Sequence, residues 1–250
     1  MEDRLNEPKT MPARGDARPM HPALADISLV IFDLDGTLID SVPDLAAALD
    51  AALAERELPP AGVDRVRDWV GNGSNKLVER ALAHARDISL DALDAADVAT
   101  AHARFLAHYA QAPCVRTRLY DGARACLETL QSRGITCALV TNKPACFLPV
   151  ILEHFALTSF FAVTLGGDSL DEKKPRPAPL LHACARTGVA PSRALMVGDS
   201  RHDVQAGKAA GLTTLAVTYG YNHGQPIADS QPDHLIDSLT MLAGDHALPI

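Results

Sequence analysis

Leu29-Val30-Ile31-Phe32 is an unbroken apolar run that stops on Asp33-Leu34-Asp35-Gly36-Thr37. A short run of this kind, bounded by a turn glycine, reads as a buried strand. Two carboxylates one residue apart at its end constrain the fold further. Like charges at that range raise one pKa unless a cation neutralises them, so the chain must bring partners to this strand end. Such a pair suits chemistry that needs one ionised carboxylate and one that carries a proton. Read alone, it also suits a plain acidic turn beside a helix N-terminus, where acids are favoured.

The rest of the chain predicts the sheet that this strand joins. From residue 42 to about 110 apolar residues recur at helical spacing, as in Leu45, Ala48, Leu49, Ala52 and Leu53, and again in Leu77, Val78, Ala81 and Leu82. A third stretch holds Ala103, Phe105, Leu106 and Tyr109. No strand pattern interrupts this region; Pro59-Pro60 and Gly71-Asn72-Gly73 divide it into separate helices. After Tyr120-Asp121-Gly122 the pattern changes. A helix over residues 123–133 ends at Gly134 as its C′ residue. Apolar runs at 136–140, 161–165, 194–197 and 214–217 read as strands separated by helices, with 234–236 a short edge strand. This alternation implies an α/β fold, a Rossmann-like doubly wound parallel sheet, with an all-helical cap inserted after strand one. The boundaries read as an N-terminal extension over 1–26, an α/β core over 27–42 and 116–250, and a cap over 43–115.

Composition narrows the function. Hydrophobic content of 47% with 22% charged residues fits a soluble globular protein. A net charge of −8 argues against nucleic acid as a partner. It leaves room for an anionic small molecule, because a local cation reverses the field inside one cleft. Five cysteines without a C-x-x-C pair form neither a disulfide framework nor a zinc site, and read as reduced thiols of a cytoplasmic protein. No apolar run approaches the ~20 residues that span a bilayer, so no membrane is expected. Residues 1–26 carry Pro8, Pro12, Pro19 and Pro22 among scattered charges and no apolar signal core, and read as a flexible extension. Asn72-Gly73-Ser74 matches the glycosylation sequon, which is idle without secretion. Monomer and homo-oligomer both stay open.

In open parallel sheets the ligand crevice lies at the carboxyl ends of the strands. There the sequence places Asp33 and Asp35, then Thr141-Asn142-Lys143, then Lys174 in Lys174-Pro175-Arg176-Pro177, then Gly198-Asp199-Ser200 with Asp203 a turn later. Carboxylates with oxygen-only partners suit Mg²⁺. An ionised Asp33 is able to attack a phosphoryl group, while Asp35 protonates the leaving alkoxide and later activates water. Thr141, Asn142 and Lys174 would donate to the phosphoryl oxygens, and Lys174 is also placed to hold the nucleophile. Thr141-Asn142 equally suits a helix N-cap, and Asp199 and Asp203 a cap and a surface acid; Asp203 is read as a support near the metal. Lys143 and Arg176 read as general positive charge around the mouth, Arg65, Arg67 and Lys76 as solvated helix faces, and Trp69 as an anchor between cap and core. The histidines show no ligand spacing.

These four clusters, in this order, resemble the haloacid dehalogenase superfamily of phosphatases, through D-x-D-G-T at 33–37, T-N at 141–142, K-P-x-P at 174–177 and G-D-x-x-x-D at 198–203. The resemblance spans about residues 27–240. It implies Asp33 as nucleophile, Asp35 as general acid/base, and Mg²⁺ held by Asp33, the Asp35 backbone carbonyl and Asp199. Thr37, Thr141 and Asn142 are expected at the substrate. The second aspartate points to a phosphatase rather than a dehalogenase. The stretches 40–44, 69–73, 141–144 and 197–201 resemble the phosphoglycolate phosphatase subfamily, which implies hydrolysis of 2-phosphoglycolate to glycolate and phosphate through an aspartyl-phosphate. In that reading Gly71, Asn72 and Gly73 present N–H groups to a small carboxylate. The alternatives are a sugar-phosphate phosphatase or phosphosugar mutase of the same fold and, from another class, a receiver-like module phosphorylated on aspartate, which carries no such insertion.

Overall fold

The computed structural model describes residues 20–244. Its strands are β1 (Leu29–Phe32), β2 (Ile39–Asp40), β3 (Arg118–Leu119), β4 (Thr136–Val140), β5 (Phe161–Leu165), β6 (Ala194–Gly198), β7 (Thr213–Val217) and β8 (His234–Ile236). Six of them form one parallel sheet in the order β5-β4-β1-β6-β7-β8. β1 is buried at every position, as an apolar run without polar alternation demands of a strand covered on both faces. Its residues divide by parity. Val30 and Phe32 join one apolar cluster with Leu127 and Leu130 of α5 (Ala123–Ser132) and Leu239 and Leu242 of α9 (Leu239–Ala243). Leu29 and Ile31 join the opposite cluster with Leu180 and Ala183 of α7 (Ala178–Thr187) and Ala206 and Ala210 of α8 (Arg201–Ala210). Each such buried side chain contributes about 2 kcal/mol of apolar transfer.

Register then fixes the active edge. Phe32 pairs with Leu139 on one side and Val197 on the other, so Asp33, Thr141 and Asp199 all emerge at one rim. The Asp33 N–H donates to the Val197 carbonyl at 2.9 Å, continuing the ladder by one step. A further helix, α6 (Leu148–His154), follows β4.

Between β2 and β3 the chain leaves the sheet for four helices, α1 (Val42–Ala54), α2 (Val63–Trp69), α3 (Ser74–Arg86) and α4 (Ala95–Gln111). The helices break at the prolines and glycines named above, and Gly134 takes a φ of +71°, as expected of a C′ residue. Leu45, Leu49 and Leu53 of α1 and Val98, Phe105 and Tyr109 of α4 are buried, in the same apolar cluster as Phe32.

Two features escaped the sequence pattern. β2 and β3 pair antiparallel, Ile39 with Leu119 and Asp40 with Arg118, and so tie the start of the insertion to its end; two residues are too few to show a period. The expected loose extension also ends earlier than residue 26. Residues 1–19 lie outside the described residues, but Pro22–Leu24 forms a 3-10 turn whose Ala23 and Leu24 are buried in the main cluster, because apolar side chains next to the first strand find core to cover.

Asp44, buried in the first turn of α1, fastens the same junction. It accepts from the Arg116 N–H at 2.9 Å, the Thr117 N–H at 2.8 Å and the Thr117 hydroxyl at 2.7 Å. Removing it leaves three donors without their charged acceptor. Asp44→Ala is expected to lower stability by about 3 kcal/mol, read as an earlier urea midpoint; an unchanged midpoint would show that this clasp is idle.

Candidate active site

Lys174 stands at the centre of the rim. Its side chain is 2% exposed, and its ammonium lies 2.8 Å from Asp33 Oδ1 and 2.6 Å from Asp203 Oδ1. Burial alone would drive its pKa down, but Asp203 and Asp33 outweigh that and hold it above its ordinary value. Asp203 is held from its own side too. Its second oxygen accepts from the Ser200 N–H and hydroxyl, at 3.0 and 2.7 Å, which closes a capping box on α8.

Asp199 completes the acids. Carboxylate oxygens of Asp33, Asp199 and Asp203 lie within 4.8 Å of one another. Asp199 accepts from the Thr37 hydroxyl at 3.0 Å and the Tyr221 N–H at 2.7 Å. Gly36, at φ +92°, passes so close that a Cβ there would sit 2.3 Å from Asp199 Oδ2, which explains the glycine after the second aspartate. Burial pushes the Asp33 carboxyl up to about 6; Lys174 pulls the other way, and Asp203 and Asp35 add to the rise. Asp199 is held well above the carboxylate range by burial, then by Asp33 and Asp203.

Asp35 turns to a separate set of partners. Lys143 donates to its two oxygens at 3.0 and 3.2 Å, and the Ser41 hydroxyl donates at 2.5 Å. Lys143 is therefore a buried ion-pair partner, with a side chain 2% exposed, and not general charge at the mouth. Arg176 does stay exposed. Asp33, Asp35, Thr141, Lys143 and Lys174 line a cavity of about 50 Å³, which the insertion closes with Leu45, Val70, Gly71, Gly73, Leu77 and Phe105.

Several expected substrate contacts sit otherwise. Thr37 is fully buried behind Asp199 and does not line the cavity; its hydroxyl donates to Asp199. Asn142 does line the cavity, yet its amide donates to the carbonyls of Gly71 and Lys174, at 3.0 and 2.9 Å. Both N–H groups are thus spent joining the insertion to the core. Thr141 accepts from the Lys143 N–H at 3.2 Å, which leaves its hydroxyl proton free to donate. Gly71 and Gly73 reach the cavity, but Asn72 turns away, to Arg80 at 2.9 Å and His202 at 2.6 Å. Arg67 is no solvated face: it pairs with Asp40 at 3.4 Å and lies 5.2 Å from the centre of the Tyr221 ring. The Tyr221 hydroxyl accepts from the Ser41 N–H at 3.0 Å and donates to Asp40 at 2.7 Å. Tyr221 carries no sequence signal that sets it apart from structural residues, whereas Ser41 lies in the 40–44 stretch already singled out and Lys143 directly after Thr141-Asn142, so both were within reach.

Residues 30–217 match the model of the haloacid dehalogenase-like hydrolase family. The chain belongs to that family. It is 50% identical over 214 residues to the phosphoglycolate phosphatase of Pseudomonas putida (strain KT2440), covering 86% of this chain and 78% of that protein. To the phosphoglycolate phosphatase of Aliivibrio fischeri (strain ES114) it is 46% identical over 217 residues, 87% of this chain and 95% of the other. A crystal structure of a predicted phosphoglycolate phosphatase from Haemophilus somnus 129PT superposes with a TM-score of 0.81 at 38% identity, covering 86% of this chain and 95% of that one.

In this haloacid dehalogenase-like hydrolase the acid cluster fits a hard divalent cation on the chemistry of its donors. Three buried carboxylates cluster together, only Asp33 and Asp203 of them paired with Lys174. Asp33 and Asp199 are held above their ordinary range, which is the state that a bound cation relieves. The sign is set by Asp33. With a folded value near 6 against 3.8 for the free side chain, the folded chain binds more protons than the unfolded one between those values. Stability of the metal-free protein therefore falls as pH rises through that window. A divalent cation acts in the opposite sense, competing with protons for the same oxygens. Thermal melts with and without Mg²⁺ or Mn²⁺ are expected to show a larger rise in Tm at pH 8 than at pH 5. Equal shifts at both pH values, or none at pH 8, would rule this cluster out as the cation site.

Proposed function

We propose that this hydrolase is a Mg²⁺-dependent phosphoglycolate phosphatase working through an aspartyl-phosphate on Asp33. The observation that carries the reading is the pairing, in one cavity of about 50 Å³, of a lysine-held aspartate with a second aspartate on its own donors. Against the sugar-phosphate and mutase alternatives stand the sequence relatives above, which carry the phosphoglycolate phosphatase name and match over most of this chain. A receiver-like module finds no support in a chain of this family.

The chemistry follows from the side chains. Lys174 fixes Asp33 so that its other oxygen faces the phosphorus, and Asp33 displaces the ester oxygen as its own bond to phosphorus forms. Asp35, aimed by Ser41, gives a proton to the departing glycolate alkoxide. It then takes one from the water that attacks the phosphoaspartate, which releases phosphate and restores Asp33. The Thr141 hydroxyl donates to a phosphoryl oxygen. Mg²⁺, held by Asp33, Asp199 and the Asp35 carbonyl, would neutralise charge on the phosphoryl group, with Asp203 keeping Lys174 in place. Residues 43–115 act as a cap that excludes bulk water from the phosphoaspartate. Five free cysteines and a net charge of −8 support a cytoplasmic enzyme with neither nucleic acid nor membrane as partner. No helix among the described residues is long and apolar enough to cross a membrane.

Phosphate release from 2-phosphoglycolate tests these roles. Asp33→Asn is expected to lose at least ~10³-fold in kcat, as nucleophile removal does, and Asp35→Asn ~10²- to 10⁴-fold. Turnover by Asp33→Asn near the wild-type rate would eliminate the aspartyl-phosphate route.

A further inference from the structure

Lys143 has no part in the chemistry above, yet it is the second buried cation of the cavity. Lys174 is committed to Asp33 and Asp203. Lys143 instead pairs with the Asp35 carboxylate, at 3.0 and 3.2 Å, and with Tyr109 on α4, lying 4.6 Å from the centre of its ring. A buried ammonium has three donors and is well matched to a second anion. The insertion lines the cavity with no cationic side chain. Its one polar side chain there, Ser74, is paired with His102 at 2.8 Å, and Asn72 is occupied by Arg80 and His202, so any donor it adds is neutral.

We infer that Lys143 is the specificity-determining residue that receives the carboxylate of the substrate, sharing its ammonium between Asp35 and the incoming acid. The inference rests on the phosphatase reading. With the phosphoryl group at Asp33 and the ester oxygen at Asp35, the carboxylate of phosphoglycolate lies one methylene beyond that oxygen. That brings it beside the counter-ion of Asp35. A carboxylate buried there without a cation would be strongly disfavoured, so Lys143 turns the charge of the substrate into a condition for tight binding. The same placement explains why a lysine is kept in a pocket whose catalytic cation is a different residue.

The test compares phosphoglycolate with its carboxamide analogue, which has the same shape and no carboxylate charge. Both are assayed on the Mg²⁺-loaded wild type and on Lys143→Met and Lys143→Gln. Effects that pass through Asp35 alter both esters and cancel in the ratio of their kcat/KM values. The wild type is expected to prefer the acid on the order of 10²-fold, mainly through KM. Either variant is expected to bring the ratio within about tenfold of unity by the same scale. A wild-type ratio near one, which needs no variant to fold, overturns the inference. A strong wild-type preference that survives in both variants overturns the assignment to Lys143 and leaves the phosphoglycolate reading standing. Absence of phosphate release from either ester by the wild type removes that reading and this inference with it.

Discussion

One ammonium holds the working edge of this protein together. Lys174 bridges two buried carboxylates on different elements, Asp33 after β1 and Asp203 in α8, and it reaches them from the loop that leads into α7. Without it both acids would be desolvated and uncompensated, a far worse state than never having had the pair. Asp203 shows how far this interaction spreads. The oxygen that is not on Lys174 caps α8, so the same carboxylate anchors a helix and a buried lysine. Yet one positive charge cannot balance three negative ones. The rim is electrostatically incomplete by construction, and the rigid ladder around Asp33 keeps the acids from relaxing apart.

Around that centre the insertion and the sheet are joined by polar contacts that converge on the same residues. Asn142 links the Gly71 carbonyl to the Lys174 carbonyl. Tyr221 donates its N–H to Asp199, while its hydroxyl takes the Ser41 N–H and its ring lies under Arg67 of α2. Ser41 in turn holds Asp35. The position of α2 is thus connected through two or three contacts to both the acid cluster and Asp35. A cap that swings would reposition chemistry as well as admit solvent.

The four inner strands of the large sheet, β1, β4, β6 and β7, were legible because each is a largely apolar run flanked by turn residues, a signal that burial on both faces makes strong. The edge strands β5 and β8 are partly exposed and carry a weaker one. The acids were legible for a related reason: charge at the end of such a run is costly and needs an explanation. What stayed hidden depends on direction rather than on composition. Thr37 belongs to the same motif as Asp33, but it points behind Asp199. Asn72 sits in the expected turn and faces His202. Lys143 reads as general positive charge around the mouth until the backbone turns it onto Asp35 and over the Tyr109 ring. The β2–β3 pair has no periodicity to detect, since its existence depends on residues almost eighty positions apart meeting across the junction.

That pair also has a consequence for how such proteins diversify. Because Asp40 and Arg118 are direct neighbours, everything between them is a closed loop whose two ends meet at one point of the scaffold. The entropy of closing a loop grows only logarithmically with its length, so doubling the loop costs roughly 0.6 kcal/mol. Helices could then be lengthened, shortened or exchanged within that loop at almost no expense to the scaffold below. Changes in the excursion and changes at the strand ends can then accumulate separately, except where Asn142 and Lys143 reach across to Gly71 and Tyr109 and couple the two.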